Sequence, residues 1–182
     1  MSSLLTFPVD YSFQDDREIF STFETIAIPP PHALVTAVRG WIFSGEELLL
    51  VRGEHGWDLP GGSRRSEETF RDTLVRTAWE SSGALLSEAR MLGAVKIAEQ
   101  QHVATPDADT LQAPDGRISY NIWFLAEARD VLPFSREFEA RDRMLIEPGL
   151  VPNIVKHWSP LLQEMLEYAQ TIRTPAYAHM LV

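Results

Sequence analysis

The chain has 182 residues, 45% of them hydrophobic, which is material for one domain with a sizeable core. A formal net charge of -10 excludes the basic surface that duplex nucleic acid needs, so a phosphate-bearing ligand is expected to require a bridging metal. With no cysteine, disulfides, thiolate metal sites and a cysteine nucleophile are excluded, and a reducing, cytoplasmic location is the expectation.

Residues 1–16 lack a basic segment and reach Asp10, Asp15 and Asp16 before any long apolar run, so they do not read as a secretory signal. No stretch approaches the roughly 18 apolar residues of a spanning helix, and no membrane partner is expected. Residues 1–32 read as an N-terminal extension with scattered aromatics, Phe7, Tyr11, Phe13, Phe20 and Phe23, ending in the stiff spacer Pro29-Pro30-Pro31. These rings pack either on their own domain or on a second subunit, and the second arrangement would make a homodimer. The main domain is expected over residues 33–172, with a tail at 173–182.

Ala33 to Phe43 is rich in β-formers, Ser44-Gly45-Glu46 makes a turn, and Glu47 to Arg52 resumes as an apolar strand, which together predict a hairpin. Residues 53–65 form a loop holding four glycines and a proline. A helix is predicted from about Glu67 to Ser82, with Ser66 as N-cap and Gly83 closing it. Residues 89–101 and 118–129 read as two more strands, and the polar segment between them holds Asp107, Asp109 and Asp115. Those three acids match a calcium-loop pattern too loosely to carry a site. A C-terminal helix is predicted from Pro152 to about Ile172. The order strand, strand, helix, strand, strand, helix gives an α/β fold with a mixed sheet between helices.

Chemistry concentrates in Trp57-Asp58-Leu59-Pro60-Gly61-Gly62, followed in register by Glu68, Arg76, Ala78, Glu80, Gly83 and Ala84. This resembles the box of the Nudix (MutT-like) hydrolase superfamily, G-x5-E-x7-R-E-U-x-E-E-x-G-U with U aliphatic, and the resemblance covers roughly residues 33 to 171. It implies an α/β/α sandwich with a mixed central sheet. It also implies hydrolysis of a nucleoside diphosphate linked to another moiety, with Mg2+ or Mn2+ as cofactor. On that resemblance Glu80 is the principal metal ligand and Arg76 orients it. Glu68 supports the helix start and the metal, and Gly61 and Gly62 shape the turn. Arg52 and Trp57 fall to the substrate, with Trp57 either a surface on which a base stacks or, as part of the turn, a packing residue. Read alone, Arg76 and Glu80 are no more than a surface pair four residues apart.

Two acids of the pattern are replaced, by Thr77 and Ser81. Residues along a helix advance about 100° each, so Thr77, Glu80 and Ser81 share one arc, the cluster that the family fills with three glutamates. Magnesium needs only one or two protein carboxylates when phosphates and waters complete its shell, so weak metal binding and slow turnover are expected. A replacement acid would come from Glu67, Glu68, Asp72, Glu99, Glu137, Glu139 or Asp142, with Glu139 in Arg136-Glu137-Phe138-Glu139 the best placed. The alternative is a non-catalytic nucleotide-binding or regulatory module that keeps the pocket. His32, His55, His102, His157 and His179 show no metal-ligand spacing, and His55, in the loop beside the glycine turn, reads first as a solvated loop histidine and second as a ligand contact.

Overall fold

The first two strands of the main domain, β3 (Val35–Ser44) and β4 (Glu47–Gly53), form the expected hairpin. Gly45, at the first central position of its two-residue turn, takes φ 61°, where a side chain would be strained. The computed structural model describes residues 7–15, 17–101 and 116–173. Asp107, Asp109, Asp115, His102 and His179 therefore lie outside the described residues.

Phe7 and Phe23 pack on their own domain while Tyr11 and Phe13 are exposed, and the segment that carries them is more ordered than a spacer. Residues Asp10–Gln14 (β1) and Arg17–Glu24 (β2) are strands that extend the sheet, β2 pairing antiparallel with β7 (Ala84–Gln101). Phe23 is buried, and Phe7 stands edge-on to it at 4.8 Å between ring centroids. Three short or later strands complete the set: β5 (Gly56–Asp58), β6 (Gly61–Gly62) and β9 (Asp142–Ile146). With β8 (Arg117–Val131), the sheet order is β1-β2-β7-β8-β3-β4-β5, with β6 beside β3 and β9 beside β4. Among the described strands only the β3–β8 neighbours run parallel, so the sheet is mixed, as expected.

Alternation along the central strands divides the core into two layers. On one face Val38, Ile42, Leu49, Ile122 and Phe124 meet Phe70, Leu74 and Ala78 of helix α1 (Phe70–Ser82). On the other, Trp41, Phe43, Leu48, Leu50, Trp123 and Leu125 meet Leu161, Met165, Leu166 and Ala169 of helix α2 (Pro160–Ile172). The result is the expected α/β/α sandwich.

Both helices start later than the sequence reading placed them. Helix α1 begins at Phe70 because Thr69 and Asp72 form a reciprocal cap: Thr69 Oγ1 accepts from the Asp72 amide at 3.1 Å, and Asp72 Oδ2 accepts from the Thr69 amide at 3.3 Å. The expected N-cap Ser66 lies in the preceding loop. Pro148–Asn153 forms a 3-10 turn, and α2 begins only at Pro160, where Ser159 caps the Leu162 amide at 3.2 Å and proline takes the first helical position.

Helix α1 ends at Gly83, with φ 68°, and a Cβ there would come within 2.5 Å of the Phe138 ring. Gly83→Ala is therefore expected to lose about 1–3 kcal/mol from left-handed strain and displacement of Phe138, measured as a lower urea midpoint.

Candidate functional site

The site is built where β6 and its flanking loop lie between strand β3 and helix α1. Asp58 starts the loop: its Oδ1 accepts from the Leu59 amide and its Oδ2 from Arg39 Nη1, both at 2.8 Å. The Gly40 amide donates to the Pro60 carbonyl at 3.1 Å, and Gly61 and Gly62 then pair with Arg39 and Val38. The glycines serve close approach rather than positive φ. A Cβ on Gly61 would meet the Val38 carbonyl at 2.4 Å, and one on Gly62 would meet Thr77 Cγ2 at 3.0 Å. Arg64 Nη1 fastens the next stretch by donating to the Ser66 and Glu68 carbonyls at 2.7 and 2.8 Å.

Glu68, Arg76 and Glu80 come together as expected, and they form a closed ionic group. Arg76 Nε donates to Glu68 Oε1, Nη2 to Glu68 Oε2 at 2.9 Å, and Nη1 to Glu80 Oε2 at 2.7 Å. Nη2 also reaches the Ser63 carbonyl at 2.9 Å. Glu68 Oε2 further accepts from the Arg65 amide and Thr73 Oγ1, both at 3.0 Å, and Glu80 Oε1 accepts from Arg65 Nη2 at 3.1 Å. Every carboxylate oxygen of the two acids thus has a protein donor. Hydrogen bonding from Arg76 holds the Glu68 carboxyl down at about 2 and lowers that of Glu80, while Glu68 in turn raises the Arg76 guanidinium.

A pH dependence follows with a definite sign. Glu68 stays ionised in the folded chain down to about 2, whereas the unfolded carboxyl protonates near 4.5. The stability it contributes is fully present above about 4.5 and is lost as pH falls toward 2. Glu68→Gln is expected to flatten the stability profile across that window in acid denaturation followed by circular dichroism.

The replaced positions behave differently from the acids. Thr77 is buried, its hydroxyl donating to the Thr73 carbonyl at 2.9 Å, and Ser81 Oγ donates to the Thr77 carbonyl at 2.6 Å. Both hydroxyls are thus turned back along the helix. Glu139 reaches this end of α1 through its backbone, the amide donating to the Glu80 carbonyl at 2.8 Å, while its side chain is exposed. Arg143 ties the same loop down by donating to the Ser82 and Leu132 carbonyls.

Beside the box loop lies a pocket of about 280 Å³, lined among others by Arg39, His55, Trp57, Trp123, Lys156 and His157. Asp58 and Leu59 belong to both pocket wall and loop, so pocket and box are continuous. Trp123 and Trp41, whose rings are 5.2 Å apart, each have a buried indole Nε1 with no acceptor among the described residues. Orphan buried donors are uncommon, and Trp123, which bears one of the two, is a residue of the pocket wall. Trp57 and His55 line this pocket; Arg52 is exposed, opposite Trp57 in the β4–β5 pairing, and outside the lining. Trp123, Lys156 and His157 carry no local sequence signal, because they come from two segments that are both distant in sequence from the box loop.

An α/β/α sandwich with a glycine turn leading into an acid-bearing helix is the architecture of a Nudix domain, and the chain belongs to that family. The NUDIX domain model matches residues 33–154. Among solved structures, a pyrophosphohydrolase of Bacillus subtilis aligns at 16% identity with TM-score 0.61, covering 84% of this chain and 90% of that one. A UDP-X diphosphatase aligns at 21% and 0.55, covering 80% and 66%, and the NUDIX domain of Shewanella oneidensis NrtR, crystallised with ADP ribose, at 18% and 0.54, covering 80% and 94%. No curated protein matches the chain significantly in sequence.

Nudix hydrolases generally use divalent metal ions such as Mg2+ or Mn2+. The donor set of this chain fits such an ion poorly. Glu68 and Glu80 are paired with Arg76 and Arg65, and with the Glu139 side chain exposed the described residues hold no group of three or more acids or histidines able to bind one. Among the described residues, no helix is long and apolar enough to cross a membrane.

Proposed function

We propose that this chain binds a nucleoside diphosphate linked to another moiety, with the base in the Trp57–Trp123 pocket and the diphosphate over the Gly61–Gly62 turn, and that its box holds the ligand without cleaving it at ordinary rates. The observation that carries this reading is the closure of both remaining box acids on Arg76, whose hydrogen bonds engage both carboxylates and lower their affinity for a proton, making each a weak base toward an attacking water. The pocket supplies the binding half: aromatic side chains and the cations of Arg39 and Lys156 around one cavity.

Slow metal-dependent hydrolysis is the second reading. It is favoured by Glu80, which keeps its place in the box and, at 24% side-chain exposure, is the more open of the two acids. Isothermal titration of ADP-ribose and UDP-glucose, paired with chromatography of the products, tests both. The expected result is saturable binding with turnover about 10²- to 10⁴-fold below an ordinary enzyme of 1–10³ s⁻¹. Ordinary turnover, or no binding of any diphosphate in a broad panel, would overturn the proposal.

A further inference from the structure

We infer that the diphosphate is charge-compensated by arginine instead of a bound divalent cation, with Arg65 moving from Glu80 to the phosphates and Arg39 standing as the second cation across the glycine turn. The inference rests on the nucleotide-binding reading above and concerns the same site.

A divalent ion at Glu80 has to compete with two guanidinium groups already paired with that carboxylate. One of them, Arg76, is only 18% exposed and is shared among Glu68, Glu80 and the Ser63 carbonyl. Pulling it away would strand a poorly solvated cation beside the incoming one, and both acids would be needed to hold the metal that replaced it. The two other box positions offer no charge, and their hydroxyls are engaged with helix carbonyls. The site is thus already neutralised from within, by Arg76 and Arg65 against Glu68 and Glu80.

Arg65 is differently placed. Its side chain is 64% exposed and holds Glu80 by one contact of 3.1 Å, while Glu80 keeps its bond to Arg76 through the other oxygen. An ion pair of that exposure is weak, and a diphosphate offers the guanidinium a planar, two-oxygen partner in its place. Arg39 lies in register opposite Gly61 and lines the pocket, with Asp58 as its one described carboxylate partner. The two arginines therefore flank the stretch of backbone over which the diphosphate has to pass. In a chain of net charge -10, local cations of this kind are what admit an anionic ligand when no metal screens it.

The test uses the full chain titrated with ADP-ribose and with UDP-glucose, in excess EDTA and in excess Mn2+. The expected dissociation constants agree within about twofold in the two media, because metal and ligand are not coupled. Arg65→Ala is expected to weaken binding about tenfold in both media with unchanged circular dichroism, since a charge-assisted phosphate contact is lost. Glu80→Gln, which frees Arg65 and removes a negative charge, is expected to leave binding equal or tighter. Binding seen only with Mn2+, or lost in Glu80→Gln, would overturn the inference and leave the nucleotide-binding reading intact. Absence of binding in both media would overturn the two together.

Discussion

Thr77→Glu combined with Ser81→Glu is expected to create a saturable Mn2+ site and to raise hydrolysis of nucleoside diphosphate derivatives by roughly 10²- to 10⁴-fold, the usual contribution of a positioned base. Positions 77, 80 and 81 share one helical arc, so the double variant assembles three carboxylates on a surface that carries one. Three acids side by side repel one another, and the Arg76 and Arg65 cations are already committed to Glu68 and Glu80. The extra charge is therefore what makes a divalent ion preferable to an arginine at Glu80. The two changes are expected to act together. Thr77→Glu alone would place a carboxylate beside Gly62, in a position where the threonine is buried, and would lose the hydroxyl bond to the Thr73 carbonyl. Ser81→Glu gives that carboxylate a metal to bind, so the double variant exceeds the sum of the singles. Manganese titration followed by electron paramagnetic resonance reads the site, and product chromatography reads the rate. If the double variant folds, binds nucleotide and still neither holds Mn2+ nor gains rate, then the loss of the two acids is not what separates this chain from its hydrolase relatives.

Much of the architecture was legible because it depends on local pattern. The hairpin at Gly45 and the stripe Phe70, Leu74, Ala78 appear where the sequence places them, as does the closure at Gly83. The displaced helix starts show where local signals compete. Ser66 and Thr69 are both good caps, but only Thr69 has an acid three residues on that returns the bond, and Glu68 is drawn away from the helix end by Arg76. Pro160 likewise restarts the C-terminal helix inside what periodicity alone makes continuous. Strands β1 and β2 were hidden for another reason. Their pairing joins residues far apart, such as Arg17 with Gln101, and exposed Tyr11 on β1 blurs the alternation that marks a half-buried strand. The box residues were legible as a set, but their mutual saturation was not. It depends on Arg65 of the loop and on the amide of that same residue, which no spacing rule singles out. The pocket was the least visible part, since Arg39, Trp123 and His157 meet only through the sheet order and the start of α2.

Leu74→Ala is expected to cost about 2–5 kcal/mol, seen as a fall of about 5–20 °C in Tm, because a fully buried side chain is lost from the layer that anchors α1 under the sheet. Leu74 is the residue that fits over Gly40: a Cβ built on Gly40 would lie 2.8 Å from Leu74 Cδ1, so glycine in β3 and leucine in α1 are complementary in size. Gly40→Ala alone is therefore expected to destabilise by overpacking, about 1–3 kcal/mol. The double variant is expected to be more stable than the two losses combined, since the added methyl enters the space that the leucine vacates. The consequence reaches the site because α1 also carries Arg76 and Glu80. Overpacking at Gly40 pushes the helix from the sheet and opens the approach of Gly62 to Thr77, so nucleotide affinity should fall in Gly40→Ala and recover in the double. Thermal melts with ligand titrations on all three proteins decide it. Strictly additive stabilities would show that Leu74 does not set the height of the helix above β3, and the box loop would then owe its shape to the Arg64 and Arg76 contacts alone.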